Sequence, residues 1–291
     1  MRRKRILARV LKTRLGQETL APNMRFRVRK WTIETPLWDA RPALRIGVLS
    51  DLHWGYRPVN AGFFGNIKRR LAALAPDMVV FLGDLSEGRD IAAKQANGAL
   101  GAAELKGISA PLGAYAVLGN HDWHDDPEAQ ARRIGPVRAM AHLEAAGFRL
   151  LQNAACRPGR DDIWLAGLDS QQAFKGGRGE PRRLGSHDMA AALAAAPGDD
   201  PVILLAHEPD IFPEITEPRV VLTLSGHMHG GQIRPFGRAF YAPSLHGTRF
   251  DYGHFHEDGR HLVVSGGLGC STIPVRIGIV PEITLVEIRG I

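Results

Sequence analysis

The 291 residues suffice for one large domain or two small ones. Their 44% hydrophobic and 23% charged content is ordinary for a globular chain and excludes wholesale disorder. No apolar run approaches the roughly 18 residues that cross a bilayer, and Cys156 and Cys270 are too few for a disulfide framework. The net charge of +7 is uneven: residues 1–30 hold eleven basic groups and one acid, which leaves residues 31–291 at −3.

The basic segment reads as an N-terminal arm over 1–30, ahead of one domain over 31–291. Ile6, Leu7, Val10 and Leu11 fall on one side of a helical wheel, and Arg2, Arg5, Arg9 and Lys12 on another. That pattern fits either a short amphipathic helix lying on an anionic membrane surface or a solvated, frayed terminus, and the charge alone would suit a membrane or nucleic acid. Arg2-Arg3 opens like a twin-arginine export signal, but Lys12 and Arg14 interrupt the apolar stretch such a signal needs. The expected location is therefore cytoplasmic, peripheral on the inner face of the membrane.

Strands are expected from Phe26 to Ile33 and at Leu44–Leu49, the second ending in Ser50-Asp51-Leu52-His53. A helix over 63–75, stopped by Pro76, leads to a buried strand at Met78–Leu82 and then Gly83-Asp84. A weak helix over 91–106 precedes a strand at Tyr115–Leu118, which runs into Gly119-Asn120-His121-Asp122. One helix is expected over Pro127–Gly147, a strand at Ile163–Ala166, and an alanine-rich helical piece at Met189–Ala196. Strands at Val202–Ala206 and Val220–Leu224 end in His207 and in Gly226-His227-Met228-His229, and late strands fall at Leu262–Ser265 and Ile283–Ile288. Helices alternate with strands early and strands dominate late, which is the pattern of a mixed α/β fold.

Five polar clusters thus follow five apolar runs, and carboxyl ends of strands are where ligand sites form in α/β sheets. A single histidine at a strand end is ordinarily structural; the coincidence of Asp, His and Asn at five successive ends points to metal ligation. Asp51 and Asp84 bring two negative charges, so two divalent cations would leave the site positive and attractive to a phosphate ester. Imidazole mixed with carboxylate and amide oxygen favours manganese, with iron or zinc as alternatives, over a magnesium or calcium cage.

These motifs, in this order over 51–229, resemble the calcineurin-like metallophosphoesterases. The resemblance implies a four-layer α-β-β-α sandwich with mixed sheets and a centre of two divalent ions. It assigns Asp51, His53 and His229 to one metal, Asn120, His207 and His227 to the other, and Asp84 to both. His121 then faces the phosphate as general acid or transition-state stabiliser, with Asp122 orienting it. Gly-His-Met-His-Gly-Gly-Gln at 226–232 and the tail Ser265–Arg276 followed by Pro281-Glu282 are similar to the bacterial membrane-associated branch. Some members of that branch hydrolyse UDP-2,3-diacylglucosamine in lipid A synthesis. Met228 stands where a threonine is usual, at a position that is not a ligand.

The expected reaction is hydrolysis of a phosphodiester or pyrophosphate bond of an anionic, lipid-linked substrate. Trp54, Tyr56, Phe63 and Phe64 follow the first motif, and Phe236, Phe240, Tyr241, Phe250, Tyr252 and Phe255 follow the last. They fit either an apolar wall for an acyl chain or ordinary core packing. Arg57 fits a second phosphate or plain solvation. His246, His254, His256 and His261 match no motif and are expected at the surface or behind the ligands. The alternatives are a soluble phosphodiesterase of cyclic nucleotides or nucleic acid and a catalytically dead binding module. The acidic body lacks the basic stripe of a nuclease, and the intact ligand set argues against a dead module.

Overall fold

The computed structural model describes residues 26–55, 59–177, 180–181 and 183–291. The amphipathic helix expected from Arg2 to Lys12, and the roles expected of Tyr56 and Arg57, lie outside the described residues.

Chain order begins with β1 (Arg27–Glu34), so Arg27, Arg29 and Lys30 of the basic segment belong to a sheet. Two fully or nearly fully buried runs, β2 (Leu44–Leu49) and β3 (Met78–Phe81), flank helix α1 (Ala61–Leu74). The α1 helix starts where the Asn60 side chain accepts the Phe63 N–H. It buries Phe64, Ile67, Leu71 and Leu74 at three- and four-residue spacing, and stops at left-handed Ala75 before Pro76. Helix α2 (Ile91–Leu105) is capped by Asp90, and β4 (Ala114–Ala116) follows.

After a short helix α3 (Asn120–His124), the helix expected over Pro127–Gly147 is instead two short pieces, α4 (Pro127–Arg132) and α5 (Arg138–Ala145). Arg133 turns left-handed after α4, and Gly135-Pro136 cannot carry a helix through. The chain continues through β5 (Arg149–Leu150), β6 (Ala154–Cys156), β7 (Trp164–Gly167), and the ribbon of β8 (Phe174–Lys175) with β9 (Arg183–Leu184). Helix α6 (Met189–Ala194), β10 (Val202–Leu205), β11 (Val220–Ser225), the hairpin of β12 (Gly253–Glu257) with β13 (Arg260–Val264), and β14 (Glu282–Arg289) complete it.

Two six-stranded mixed sheets result, in the orders β1-β14-β2-β3-β4-β5 and β12-β13-β11-β10-β7-β6. Within each, the central strands run parallel, β2 through β5 in one and β7, β10, β11 and β13 in the other. Parallel strands are buried on both faces, which is why they read as continuous apolar runs. Ile46, Val48, Val80 and Leu82 meet Ile203, Leu205, Leu222 and Leu224 in one cluster between the sheets. Phe64, Ile67, Leu105 and Leu143 cover the outer face of the first sheet. Ala192 and Phe212 cover the outer face of the second. The layers are therefore α-β-β-α, and truncating a buried side chain such as Phe81 to alanine would cost about 3–5 kcal/mol. The carboxyl ends of β2, β3, β4, β10 and β11 open on one edge of this sandwich.

Candidate metal centre

Asp51, His53, Asp84, His227 and His229 all hold left-handed backbone, with φ of 52°, 43°, 60°, 67° and 49°. Side chains with a Cβ avoid this region, and strain of this kind gathers at functional sites. Two glycines let the turns close on one another. A Cβ on Gly119 would lie 2.2 Å from Asp84 Oδ1, and one on Gly226 would lie 1.9 Å from Ser50 Oγ.

Asp84 is held by one oxygen: Oδ1 accepts the His121 backbone N–H at 2.8 Å. Its Oδ2 faces two rings, 3.5 Å from His53 Nε2 and 3.3 Å from His207 Nε2. Around the first, His53 Nε2 and His229 Nε2 stand 3.1 Å apart, and His229 Nε2 lies 3.6 Å from Asp51 Oδ1. Around the second, His207 Nε2 and His227 Nδ1 stand 3.3 Å apart. His207 Nδ1 donates to the Leu82 carbonyl at 2.5 Å and His227 Nε2 to the Pro243 carbonyl at 3.1 Å, which fixes each tautomer and aims the other nitrogen inward. Asn120 Oδ1 is buried with no hydrogen-bond partner. Three ligand-competent groups result: Asp51, His53 and His229; Asp84, His207 and His227; and His53, Asp84 and His121.

The electrostatics fit cations. Burial pushes Asp51 up to about 6 and His53 down to about 4, and burial with the His53 and Arg276 charges holds His229 well below the ordinary histidine value. Burial would raise Asp84, but His207, His121 and His53 outweigh it and hold the carboxyl well below its ordinary value. Burial would lower His207, but Asp84 outweighs it and holds the ring well above its ordinary value. Two buried carboxylates thus draw a proton onto His207, which a divalent cation would replace. Paired lone-pair nitrogens, shared Asp84 and the partnerless Asn120 oxygen are a donor set for two such ions.

His121 sits partly exposed at the rim, its ring centroid 4.9 Å from that of His53. Asp122 does not orient it. The Asp122 carboxylate accepts backbone N–H groups from Gly119, Asp84 and Leu85 at 2.8–3.0 Å, and so braces the two loops. Successive residues of a helical turn do not face each other. The carboxylate beside the His121 ring belongs to Glu87, with Oε2 3.9 Å from Nδ1. Glu87 is itself held by Lys94, which also bonds Asp125. Burial would raise the Glu87 carboxyl, but His121, His53 and Lys94 outweigh it and keep it below its ordinary value. Nothing in the spacing of Glu87 marks it; only folding brings it there.

The tail motif supports the centre from behind. Gln232 donates to the Ser271 and Ile273 carbonyls and accepts from the Ser271 N–H. Arg276 bonds the Gly266 and Gly269 carbonyls and lies 3.2 Å from His229 Nδ1. Buried Glu282 accepts the Gly266 N–H. Met228 is buried in the outer core of the second sheet.

Beside the cluster lies a cleft of about 470 Å³, with Asp84, Asn120, His121, His227 and His229 on one side and Ile233, Phe240, Tyr241 and Ile273 on the other. The aromatics divide accordingly: Phe64 and Phe250 are core, Trp54, Phe63, Tyr252 and Phe255 are half-buried, and Phe236, Phe240 and Tyr241 are exposed. Of the histidines outside the motifs, His246 and His256 are exposed, His254 is half-buried and His261 is buried. His261 stands opposite His256 in the β12–β13 register and stacks on its ring.

The family profile of the calcineurin-like phosphoesterases matches residues 44–231. An uncharacterized metallophosphoesterase of Aquifex aeolicus is 30% identical over 271 residues, covering 91% of this chain and 92% of that protein. A Bos taurus transmembrane protein with metallophosphoesterase domain is 30% identical over 261 residues, and the alignment spans 55% of its greater length. A solved dimetal phosphatase from Danio rerio superposes with a TM-score of 0.48 at 12% identity, over 79% of this chain and 88% of that one. No helix among the described residues is long and apolar enough to cross a membrane. With the profile covering more than half of the sequence and one relative aligned along nearly its whole length, the chain belongs to the calcineurin-like phosphoesterase family and is a hydrolase acting on phosphoester bonds.

Proposed function

We propose that the chain hydrolyses a phosphodiester or pyrophosphate bond at a centre of two divalent cations. Asp51, His53 and His229 would hold one and Asn120, His207 and His227 the other, with Asp84 available to both. The observation that carries this reading is the single oxygen, Asp84 Oδ2, facing His53 on one side and His207 on the other at 3.5 and 3.3 Å. Cations so placed supply positive charge that polarises the phosphoryl group and lowers the pKa of an attacking water. Manganese suits the mixed imidazole, carboxylate and amide set, with iron and zinc next.

The protein's own groups do the rest. His121 hydrogen-bonds or protonates the oxygen on which charge develops as the ester bond breaks, with the Glu87 carboxylate, held by Lys94, as the negative charge nearby. Asp122 keeps the Asp84 loop and the Asn120 turn in register. The apolar side of the cleft favours a leaving group with an acyl or aromatic portion, so the substrate class is a lipid-linked phosphoester such as UDP-2,3-diacylglucosamine. Residues 1–30, at +10, bring the enzyme to the inner face of an anionic membrane.

Metal analysis with a hydrolysis panel tests this. Two equivalents of metal and turnover of a phosphodiester and of UDP-2,3-diacylglucosamine above that of a phosphomonoester are expected. One metal or none in an active enzyme refutes the bridged centre, and turnover restricted to cyclic nucleotides or nucleic acid refutes the lipid-linked substrate.

A further inference from the structure

Eleven large hydrophobic side chains are exposed among the described residues, and six of them, Phe236, Phe240, Tyr241, Leu245, Ile277 and Val280, fall in two short segments. The segments are tied together, because the Arg234 N–H donates to the Ile277 carbonyl at 2.7 Å and the Ile277 N–H to the Gln232 carbonyl at 3.0 Å. They therefore form one patch rather than scattered surface residues. Phe236 is 101% exposed, Leu245 85%, Phe240 79% and Tyr241 71%. Phe236 also holds φ of 58°, between Pro235 and Gly237. A phenylalanine in left-handed backbone, aimed wholly into solvent, costs strain and recovers no packing within the chain.

Along the loop itself the charge has one sign, while Asp210 accepts the Leu245 N–H and Asp251 and Glu257 pair with its arginines from neighbouring segments. From Ile233 to Phe250 there are three arginines, one histidine and no acid. Arg234 pairs with Asp251 and Arg249 with Glu257, while Arg238 is exposed and has no ion pair among the described residues. The chain also enters the fold here: Arg27 donates to the Tyr252 hydroxyl at 2.6 Å, and the Arg234 guanidinium lies 5.4 Å from the centre of the Tyr252 ring. Ahead of that point, residues 1–25 carry eight basic groups and one acid.

We infer that the 233–245 loop, with Ile277 and Val280, docks on an anionic lipid bilayer. Phe236 and Leu245 enter the boundary between headgroups and acyl chains, and Arg238 meets lipid phosphates. Aromatic and aliphatic tips beside the exposed Arg238 suit an interface that is apolar on one side and wet and anionic on the other. Phe240 and Tyr241 belong both to this patch and to the wall of the cleft, so docking sets the mouth of the cleft against the headgroups. The docking is independent of hydrolysis. Its consequence, a membrane-lipid phosphoester presented to Asp84, rests on the function proposed above.

Tryptophan placed at the tips tests the docking in the full chain. Phe236→Trp and Leu245→Trp proteins are mixed with phosphatidylcholine vesicles containing phosphatidylglycerol and brominated acyl chains. Blue-shifted, bromine-quenched emission from the added tryptophan, beyond that of the native tryptophans, is expected. The double variant Phe236→Ser/Leu245→Ser should partition onto these vesicles roughly tenfold more weakly than the parent, with unchanged hydrolysis of bis(p-nitrophenyl) phosphate in their absence. Unquenched tips, or partitioning equal to the parent, overturn the inference, because binding would then come from residues 1–25 alone or be absent. Failure of the parent to cleave both the soluble diester and UDP-2,3-diacylglucosamine refutes the function proposed above and leaves the quenching result to decide the docking.

Discussion

The chain builds two histidine clusters by opposite means. At the metal centre, His53, His207, His227 and His229 come from loops at the ends of strands, Asp51 shares the His53 loop, Asp84 comes from the loop after β3, and left-handed backbone at His53, His227 and His229 turns ring nitrogens toward common points. On the β12–β13 hairpin, His254, His256 and His261 sit on regular strands. The His256 and His261 rings stack at 4.1 Å and 6°, and His254 Nε2 lies 2.9 Å from His261 Nδ1. Neither His254 nor His261 has a carboxylate bonded to it, and this trio is absent from the ligand-competent groups among the described residues. Pleated register brings rings side by side; it does not aim lone pairs at one point. A metal site takes anionic partners and a backbone strained to aim them, and only the first cluster has both.

Removing the shared anion should collapse the difference most completely. For Asp84→Ala we expect loss of the two-metal complement and a fall in kcat of several orders of magnitude, measured by metal analysis and diester hydrolysis. Near-normal turnover with two metals would end the bridging role. His121→Ala separates chemistry from ligation within the first cluster. Metal content should hold while kcat drops about 10²–10⁴-fold, and loss of a metal would make His121 a ligand.

Both clusters should register in the pH dependence of stability of the metal-free protein. His53 and His261, each held near 4 by burial, and His229 and His254, lowered in the same direction, bind fewer protons folded than unfolded. Their contribution is full above about 6.5 and is lost as pH falls toward 4. His207, raised by Asp84, acts in the opposite sense, contributing fully below about 6.5 and losing that as pH rises through its folded value. Asp51, raised by burial to about 6, opposes the histidines between about pH 4 and 6. The hairpin share is therefore read by difference: the Tm of the parent relative to a His254→Gln/His261→Gln variant should fall as pH drops from about 6.5 toward 4, and a pH-independent difference would contradict the burial-driven shifts. A smaller effect belongs to Glu87→Gln, with metal content intact, kcat lowered about tenfold and the pH–rate profile displaced, as for removal of a carboxylate behind a functional ring. An unmoved profile would reduce Glu87 to a structural acid. The smallest effect is expected on the hairpin, where His254→Gln/His256→Gln/His261→Gln should leave metal stoichiometry and kcat unchanged; a lost metal would make the second cluster a site after all.

Much of this was legible before folding. Buried parallel strands announce themselves as unbroken apolar runs because both faces are covered, so Leu44–Leu49, Met78–Phe81, Val202–Leu205 and Val220–Ser225 needed no tertiary information. The polar residues that end those runs were equally plain, since glycine-flanked Asp, Asn and His have few reasons to follow core strands. Two- and three-residue strands such as β5, β8 and β9 were not, because they are too short to carry a period and exist only through pairing. The break between α4 and α5 was masked by good helix formers on either side of Gly135-Pro136.

What the sequence by itself determined is thus the fold class, the family and the polar residues that the strand ends bring together, for those depend on local composition and on spacing along the chain. What only the tertiary structure decided is which groups face which. Asp122 went to backbone N–H groups, and Glu87 came to His121 across 34 residues of chain, held there by Lys94. The aromatics that follow the last motif separated into core, as with Phe250, and bare surface, as with Phe236. Side-chain direction follows from φ and ψ at turns and from the packing of distant elements, and neither is written in the spacing of residue types.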